Sequence, residues 1–481
     1  MQRKFLTNLV LLLFLNLLIK PFWILGIDRS VQNTVGDAYG FYWVIFNFSF
    51  MFNILLDMGI TNFNNRNIAQ HKHLLNKHLS GILIVKALLL FVYVIVTYTV
   101  ALIIGFEGEQ LYLLGWICFN QFLLSFVTYL RSNISGLLLF KTDSFMSILD
   151  RMLMILFCSI LLWGNVFEQA FQIEWYVYAQ TLAYFLTFLI AFLIVSNKAK
   201  FKKLSWNWPF FVMIVKRSFP YATLALLMTI YGRSDSIFIE RLLPKDIGEV
   251  QTSIYAQAFR LLDAANMIPL LFAVLLFPIF SRMIKNNQSV VQMVKLSYSL
   301  LLTLSVITAI GSAFYRFELM DLLYLENKYA ASLIFGKIIF SFIAVSTMYV
   351  FGSLLTANGN LKQLNIISFA ALVVNFTLNI ILVPKYLALG SAYANLATQF
   401  VAAVPQLILA CIVFKFKFDL KYVASIFIFI LGVIIISYVS KEFEYSWYYG
   451  FTGMIILSLI LASSLKLLSI RDFIKIIREK E

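Results

Sequence analysis

The stretch "IDRSVQNTVGD", residues 27–37, returns in altered form as "IERLLPKDIGE", residues 239–249. Ile27, Arg29 and Gly36 stand opposite Ile239, Arg241 and Gly248, and the acids Asp28 and Asp37 stand opposite Glu240 and Glu249. Tyr42 and Tyr255 follow the two copies, one residue out of step. Each copy lies between two long apolar runs, so the repeated unit is a short polar connector in an oily chain. A second echo supports the register. Tyr178-Ala179-Gln180 matches Tyr393-Ala394-Asn395, with Phe185 opposite Phe400. Two matches at nearly the same offset mark an internal duplication.

Composition sets the class. Of 481 residues, 61% are hydrophobic and 13% charged, and mean hydropathy is +0.87; a soluble domain carries about 25% charged residues. Many windows of about twenty residues run almost without charge, long enough to cross a bilayer. The expectation is an all-α polytopic membrane protein with about fourteen transmembrane helices, near residues 6–27, 38–60, 79–104, 110–131, 144–164, 174–197, 213–238, 250–280, 293–314, 331–356, 363–383, 387–414, 421–440 and 445–468. The first stretch, with Lys20-Pro21 and no small-residue cleavage site, reads as a retained span rather than a leader.

Both copies of the connector then join the first and second spans of a six-span block. Because six is even, the blocks enter the membrane in the same sense, as parallel repeats about an axis along the membrane normal. The expected organisation is a six-helix lobe over 1–205, a second over 206–418, and two extra spans with a tail over 419–481.

Charge sets the orientation. Most Lys and Arg fall at the termini and in the even-numbered connections, while most Asp and Glu fall in the odd-numbered ones. The basic side is the cytoplasmic one, which places both termini inside and the chain in the cell's inner membrane. The net charge of +15 follows from this bias. Basic runs such as "KAKFKKL" at 198–204 and "SIRDFIKIIREKE" at 469–481 suit the anionic headgroups of a phospholipid bilayer. Nothing points to nucleic acid.

Several chemistries have no signature. There is no G-x-x-x-x-G-K-[ST] loop for a nucleotide, and no connection long enough for a soluble catalytic domain. Cys118, Cys158 and Cys411 lie in apolar segments. His71, His73 and His78 share one polar loop and read as solvated rather than metal-bound. The reading is a transporter rather than an enzyme, with no cofactor.

Ionisable residues inside spans cost several kcal/mol unless paired or hydrated, and commonly mark a pathway. Lys86, Lys337 and Arg151 lie close enough to a face to extend their heads to water. Lys20, Arg233, Arg260 and Asp263 lie deeper; Arg260 and Asp263, three apart on one helix, can pair. Ser49, Asn53 and Asp57 form a polar stripe on span two, and Gln121, Ser125, Thr128 and Ser132 one on span four. Asn375 with Asn379, and Ser391 with Asn395 and Gln399, do the same in spans eleven and twelve. Such stripes either glue helices together or line a shared wet cavity. Stripes in both halves favour the cavity, lined by Ser49, Asn53, Gln121, Asn379, Asn395 and Gln399. Pro21, Pro220, Pro269 and Pro405 are candidate flex points.

"AYGFYWVIFNFSFMFNILLDMGITNFNNRNIAQ", "FPYATLALLMTIYGRSDSIFIERLL" and "IYAQAFRLLDAANMIPLLF" resemble segments of bacterial polysaccharide (O-antigen, Wzx-type) flippases. These belong to the exporter superfamily that also holds the multidrug (MATE) exporters and the lipid II flippases. The resemblance implies two six-helix lobes around a cavity that opens alternately to each face. It implies an oligosaccharide on undecaprenyl pyrophosphate as substrate, cationic cavity residues for the pyrophosphate, and polysaccharide polymerase or assembly partners. Lys20 and Arg260 occupy positions of the kind that carry those charges.

Such a headgroup needs a hydrated positive slot, which Lys20, Arg233 and Arg260 would supply. Asp57, Asp235 or Asp263 are candidates for binding a coupling H+ or Na+, or for charge pairing. The membrane potential would also drive an anion outward, by about 2.3 kcal/mol per charge per 100 mV. The alternatives are a drug or organic-cation antiporter of the same fold, which calls for acidic cavity charge, and a membrane polysaccharide polymerase, which calls for a large outer loop.

Overall fold

The computed structural model describes residues 14–16, 18–61, 64, 68, 74–137, 139–164, 169–199, 208–416, 419–442 and 446–468. His71, His73, the His78 side chain and the basic stretches 200–207 and 469–481 lie outside what it describes. Every regular element among the described residues is helical.

The chain forms two compact units, Met1–Ser253 and Ile254–Glu481. The first holds α1 (Arg29–Val35), α2 (Ala38–Met51), α3 (Leu74–Ile104), α4 (Gly108–Gly136), α5 (Phe140–Trp163), α6 (Ile173–Lys198), α7 (Trp208–Arg233) and α8 (Asp235–Leu242). A long helix, α9 (Lys245–Lys285), contains the boundary. The second unit continues with α10 (Val291–Phe314), α11 (Arg316–Leu323), α12 (Lys328–Ile338), α13 (Ser341–Asn358), α14 (Leu361–Tyr386), α15 (Ala388–Val413), α16 (Leu420–Glu442) and α17 (Trp447–Ser464).

Eleven helical stretches are long and apolar enough to cross a membrane, and they coincide with the third to sixth and eighth to fourteenth expected spans. Large apolar side chains such as Phe91, Ile95, Ile103, Phe427, Ile435 and Ile460 point outward from them. That arrangement suits a lipid surround and not water. The other three expected spans differ for local reasons. Residues 6–13 and 17 of the first lie outside the described residues, and its described end passes into a π-helical stretch, Trp23–Asp28. The seventh, α7, carries Lys216, Arg217 and an internal Pro220 in its run.

The second span is broken. α2 stops at Met51, and a 3-10 turn, Asn53–Leu56, follows. The backbone then turns through Met58 and Gly59, both at positive φ, 46° and 79°. Glycine tolerates that region freely and methionine does not. The helix thus ends at Met51 although the apolar run continues to Leu56, and Asp57-Met58-Gly59 turns the chain.

In the first unit α4 is the hub, packed on α2, α3, α5 and α6. Its core joins Ile82, Val85 and Leu89 of α3 to Phe126, Tyr129 and Leu130 of α4, Leu149 of α5, and Ala191 and Val195 of α6. In the second unit α15 packs on α12, α13 and α14, while α10 packs on α13, α16 and α17.

Both expected boundaries, near 205 and 419, therefore differ from the units observed. α7 and α8 pack on α2 in the first unit, where Gln32 donates to the Ser253 carbonyl at 3.1 Å. Gly40 lies so close to the Glu249 and Ser253 backbone that a Cβ there would stand 2.5 Å from the Glu249 carbonyl oxygen. The last two helices form no separate body: Phe429, Val433, Met454 and Ala462 share a core with Leu302, Val306 and Ile307 of α10. Tyr315 donates to Ser440 at 2.9 Å and Ser299 meets Tyr422 at 2.8 Å.

Candidate functional site

The polar stripes of spans two and four face each other. Asn53 donates to Gln121 at 2.5 Å, and Asn64 donates to Ser132 at 2.9 Å and Asn133 at 3.0 Å. One step up, Ser49 is fully buried; its hydroxyl lies 2.6 Å from the Tyr93 hydroxyl, and Tyr93 also donates to the Ser49 carbonyl at 3.0 Å. Apart from Thr128, which is exposed and donates to the Leu124 carbonyl of its own helix at 2.8 Å, the amides and hydroxyls of these two stripes close on one another and on α3.

An ion pair sits in the middle of that ladder. Lys86, from α3, is 1% exposed, and its ammonium donates to Asp57 at 2.7 Å, to the Leu56 carbonyl at 3.1 Å and to Ser125 at 2.9 Å. The Tyr129 ring lies 5.9 Å from it. Asp57 also accepts from the Thr61 hydroxyl and, at 3.3 Å, from the Thr61 amide, which caps the chain where it resumes after the break. The expectation that Lys86 extends to water is therefore overturned. The break in span two offers a carboxylate and a carbonyl, the latter shared with the Ser125 hydroxyl at 3.2 Å, and these satisfy the ammonium inside the protein.

A second charged group gathers where the first span meets α4 and α5. Lys20 is half-buried, within electrostatic reach of Arg151, Asp150 and Arg131. Arg131 pairs with Asp143 at 2.9 Å, and Arg151 approaches Asp150 at 3.6 Å. Lys20 makes no ion pair among the described residues. Asn16 beside it donates to Ser147 at 2.9 Å. Arg151 donates to the Tyr184 hydroxyl at 3.1 Å, with its guanidinium 5.8 Å from the Trp23 and Tyr184 rings. It was expected to reach for water; its side chain is 24% exposed, and aromatic faces and a phenol hold the rest. Three cations thus meet two acids.

The other expected residues are dispersed. Arg233 ends α7, 3.4 Å from the Asn47 side-chain oxygen and 5.4 Å from the Phe50 ring. Asp235 is buried at the start of α8. Arg260 is buried and Asp263 half-buried on α9, and Lys337 is half-buried on α12. Asn379 is enclosed, donating to the Asn375 carbonyl at 3.0 Å and accepting from Ser391 at 2.5 Å. Asn395 accepts from Ser341 at 3.1 Å. The Gln399 side-chain oxygen is buried and has no hydrogen-bond partner among the described residues.

The repeated connector fastens to its surroundings differently in each copy. Asp28 is buried and accepts from Tyr39 at 2.8 Å and Tyr176 at 2.5 Å, tying α2 and α6 together. Glu240 accepts from Gln110 at 2.6 Å and pairs with Arg241 at 2.8 Å. Arg241 also donates to the Gly105 carbonyl at 3.1 Å and to Gln110 at 2.8 Å, across the Phe106 ring. Burial pushes the Glu240 carboxyl above its usual range, with Arg241 opposing. In both copies the acid anchors the turn between two spans.

Sequence reasoning assigned Lys86 and Arg151 to the membrane faces and did not single out Arg131. A signal for the first existed: Asp57 and Lys86 carry opposite charges at matched depth on consecutive spans.

Helices in this order and packing define an all-helical polytopic membrane fold. The lipid II flippase MurJ in an inward closed conformation matches it with TM-score 0.72 and 15% identity, over 97% of this chain and 100% of that one. An inward-facing multidrug resistance MATE transporter of the MOP superfamily gives 0.62 and 14%, over 83% and 94%. The Vibrio cholerae MATE transporter VcmN in its bent form gives 0.58 and 14%, over 85% and 97%. No curated protein matches by sequence. Residues 30–284 match the family described as polysaccharide biosynthesis protein, and the chain belongs to that family.

Proposed function

We propose that this protein flips an oligosaccharide carried on undecaprenyl pyrophosphate from the cytoplasmic to the outer leaflet of the inner membrane, by alternating access, with both termini cytoplasmic. Lys20 carries the reading. A cation at membrane depth is held by a partner or marks a ligand site, and this one, beside Arg131 and Arg151, lacks an acid of its own among the described residues. A pyrophosphate supplies the missing counter-charge. Arg233 and Arg260 add further cations at membrane depth. Membership in the polysaccharide biosynthesis family and the fold shared with lipid II flippase MurJ support a lipid-linked substrate. Polymerase or assembly proteins would receive the flipped unit.

Lys20→Ala in cells lacking the native protein tests this. Surface polysaccharide is expected to fall at least about tenfold, one 1.4 kcal/mol step, at normal membrane abundance, with lipid-linked oligosaccharide accumulating inside. Lys20→Arg, which keeps the charge, is expected to restore part of it. Normal surface polysaccharide with altered sensitivity to toxic organic cations would instead establish the drug-antiporter alternative.

A further inference from the structure

α4 and α6 pack on each other and carry matching stripes. Glu109, Tyr112, Trp116 and Phe119 stand at i, i+3, i+7 and i+10 of α4, and Glu174, Tyr178, Thr181 and Phe185 at i, i+4, i+7 and i+11 of α6. Such spacings put each set on one helical face. One span separates the two helices, so both begin on the same side of the membrane and both stripes run in one order. A carboxylate stands at the end, then a tyrosine hydroxyl, then ring and apolar surface.

The stripes meet. The Tyr112 and Tyr178 hydroxyls lie 3.0 Å apart, and the Trp116 ring stands edge-on to Tyr178 with centroids 5.1 Å apart. Glu174 lies within electrostatic reach of both hydroxyls. Deeper along the helices, Trp116, Tyr178, Thr181, Leu182 and Phe185 line a groove of about 360 Å³. It adjoins a groove of about 400 Å³ against Tyr98 of α3, which shares Trp116, and one of about 380 Å³ against Phe157 of α5, which shares Tyr178 and Leu182. Glu109 is exposed and Glu174 half-buried, and neither carboxylate forms an ion pair among the described residues.

We infer that this face binds one phospholipid with a primary-ammonium headgroup, phosphatidylethanolamine, its ammonium on Glu109 and Glu174 and its chains in the grooves. The chemistry along the stripes follows the order of groups along that lipid. An ammonium brings three N–H donors to two carboxylates that have no cation of their own among the described residues. The two tyrosine hydroxyls hold two hydrogens, and their mutual bond uses one, which leaves the other for a phosphate oxygen. Tyrosine and tryptophan suit this depth, where one end of the ring is wet and the other apolar.

Charge selects the lipid. Two carboxylates at headgroup level repel an anionic headgroup, phosphatidylglycerol and a polyprenyl pyrophosphate alike. A trimethylated ammonium keeps its attraction to the ring faces but loses every hydrogen bond to the carboxylates.

Native mass spectrometry tests this on the full-length protein, released from nanodiscs that hold equal parts of phosphatidylethanolamine, phosphatidylglycerol and phosphatidylcholine and no lipid-linked sugar. The wild type should retain one phosphatidylethanolamine ahead of the other two lipids. Glu109→Gln combined with Glu174→Gln should weaken that adduct about tenfold, the sum of two interfacial ion pairs, and leave phosphatidylcholine adducts unchanged. Glu109→Lys combined with Glu174→Lys should turn the preference to phosphatidylglycerol. Tyr178→Phe, which keeps the ring and removes a hydroxyl, should cost a smaller part of the affinity and serves if a double variant does not fold. Equal retention of the three lipids by the wild type, phosphatidylglycerol retained first, an unchanged preference in the double glutamine variant, an unmoved adduct in Tyr178→Phe, or a lipid-free dimer in place of the adduct would each overturn the inference. Because no lipid-linked sugar is present, the result stands or falls apart from the identity of the flipped substrate.

Discussion

Lys86 and Lys20 are two lysines of one unit in apolar stretches of chain, and they end in opposite conditions. Lys86 is enclosed, with a carboxylate, a carbonyl and a hydroxyl on its ammonium. Lys20 is half-buried beside two arginines and pairs with no acid among the described residues. The first is part of the fold's own connectivity. The second is a charge that forms no ion pair among the described residues. Hydropathy cannot tell them apart, because it scores the residue and not its neighbours.

Removing partners should break the comparison most sharply at Lys86. Asp57→Asn leaves a buried ammonium without its counter-charge and should destabilise the protein by about 3–5 kcal/mol, seen as a lower melting midpoint in detergent. Lys86→Met should cost less, because Asp57 is reached by water. The double variant should recover most of the loss, since a neutral pair of similar volume replaces two desolvated charges. Equal losses in all three would show that packing, not charge, governs the site.

At Lys20 the sign should reverse. Lys20→Ala should leave the melting midpoint unchanged within about 0.5 kcal/mol, or raise it, because it relieves repulsion from Arg131 and Arg151. Export should nonetheless collapse. A loss of stability as large as that of Asp57→Asn would make Lys20 a structural residue.

The smallest effect belongs to the repeated connector. Glu240 has a raised carboxyl pKa, so its protonated form is favoured in the folded protein. Its contribution is complete below the ordinary glutamate value of about 4.3 and is lost as pH rises through the elevated value. Melting midpoints measured across that window should fall with rising pH in the wild type and flatten in Glu240→Gln, a difference of under about 1 kcal/mol.

The duplicated connector was legible because it is local: a Gly, an acid and an Arg must recur in order for a turn between two spans to re-form. Its attachments were not legible. Asp28 finds Tyr176 on α6 and Glu240 finds Gln110 on α4, partners far along the chain and without a shared motif. The polar stripes were visible on single helices, whereas their closure on one another, Asn53 on Gln121 and Ser125 on Lys86, required the helices to be placed side by side. The unit boundary moved to Ser253 because α7 and α8 pack on α2, a through-space preference that no composition shift announces.

By itself the sequence determined that this is an all-helical membrane protein and where eleven helices long and apolar enough to cross a membrane run. Those properties follow from run length and period, which each segment carries alone. Only the tertiary structure decided which charges are answered and which are left open. Two charges meet according to the depth, rotation and neighbours of the helices that bear them, and the balance between desolvation and pairing turns on that geometry.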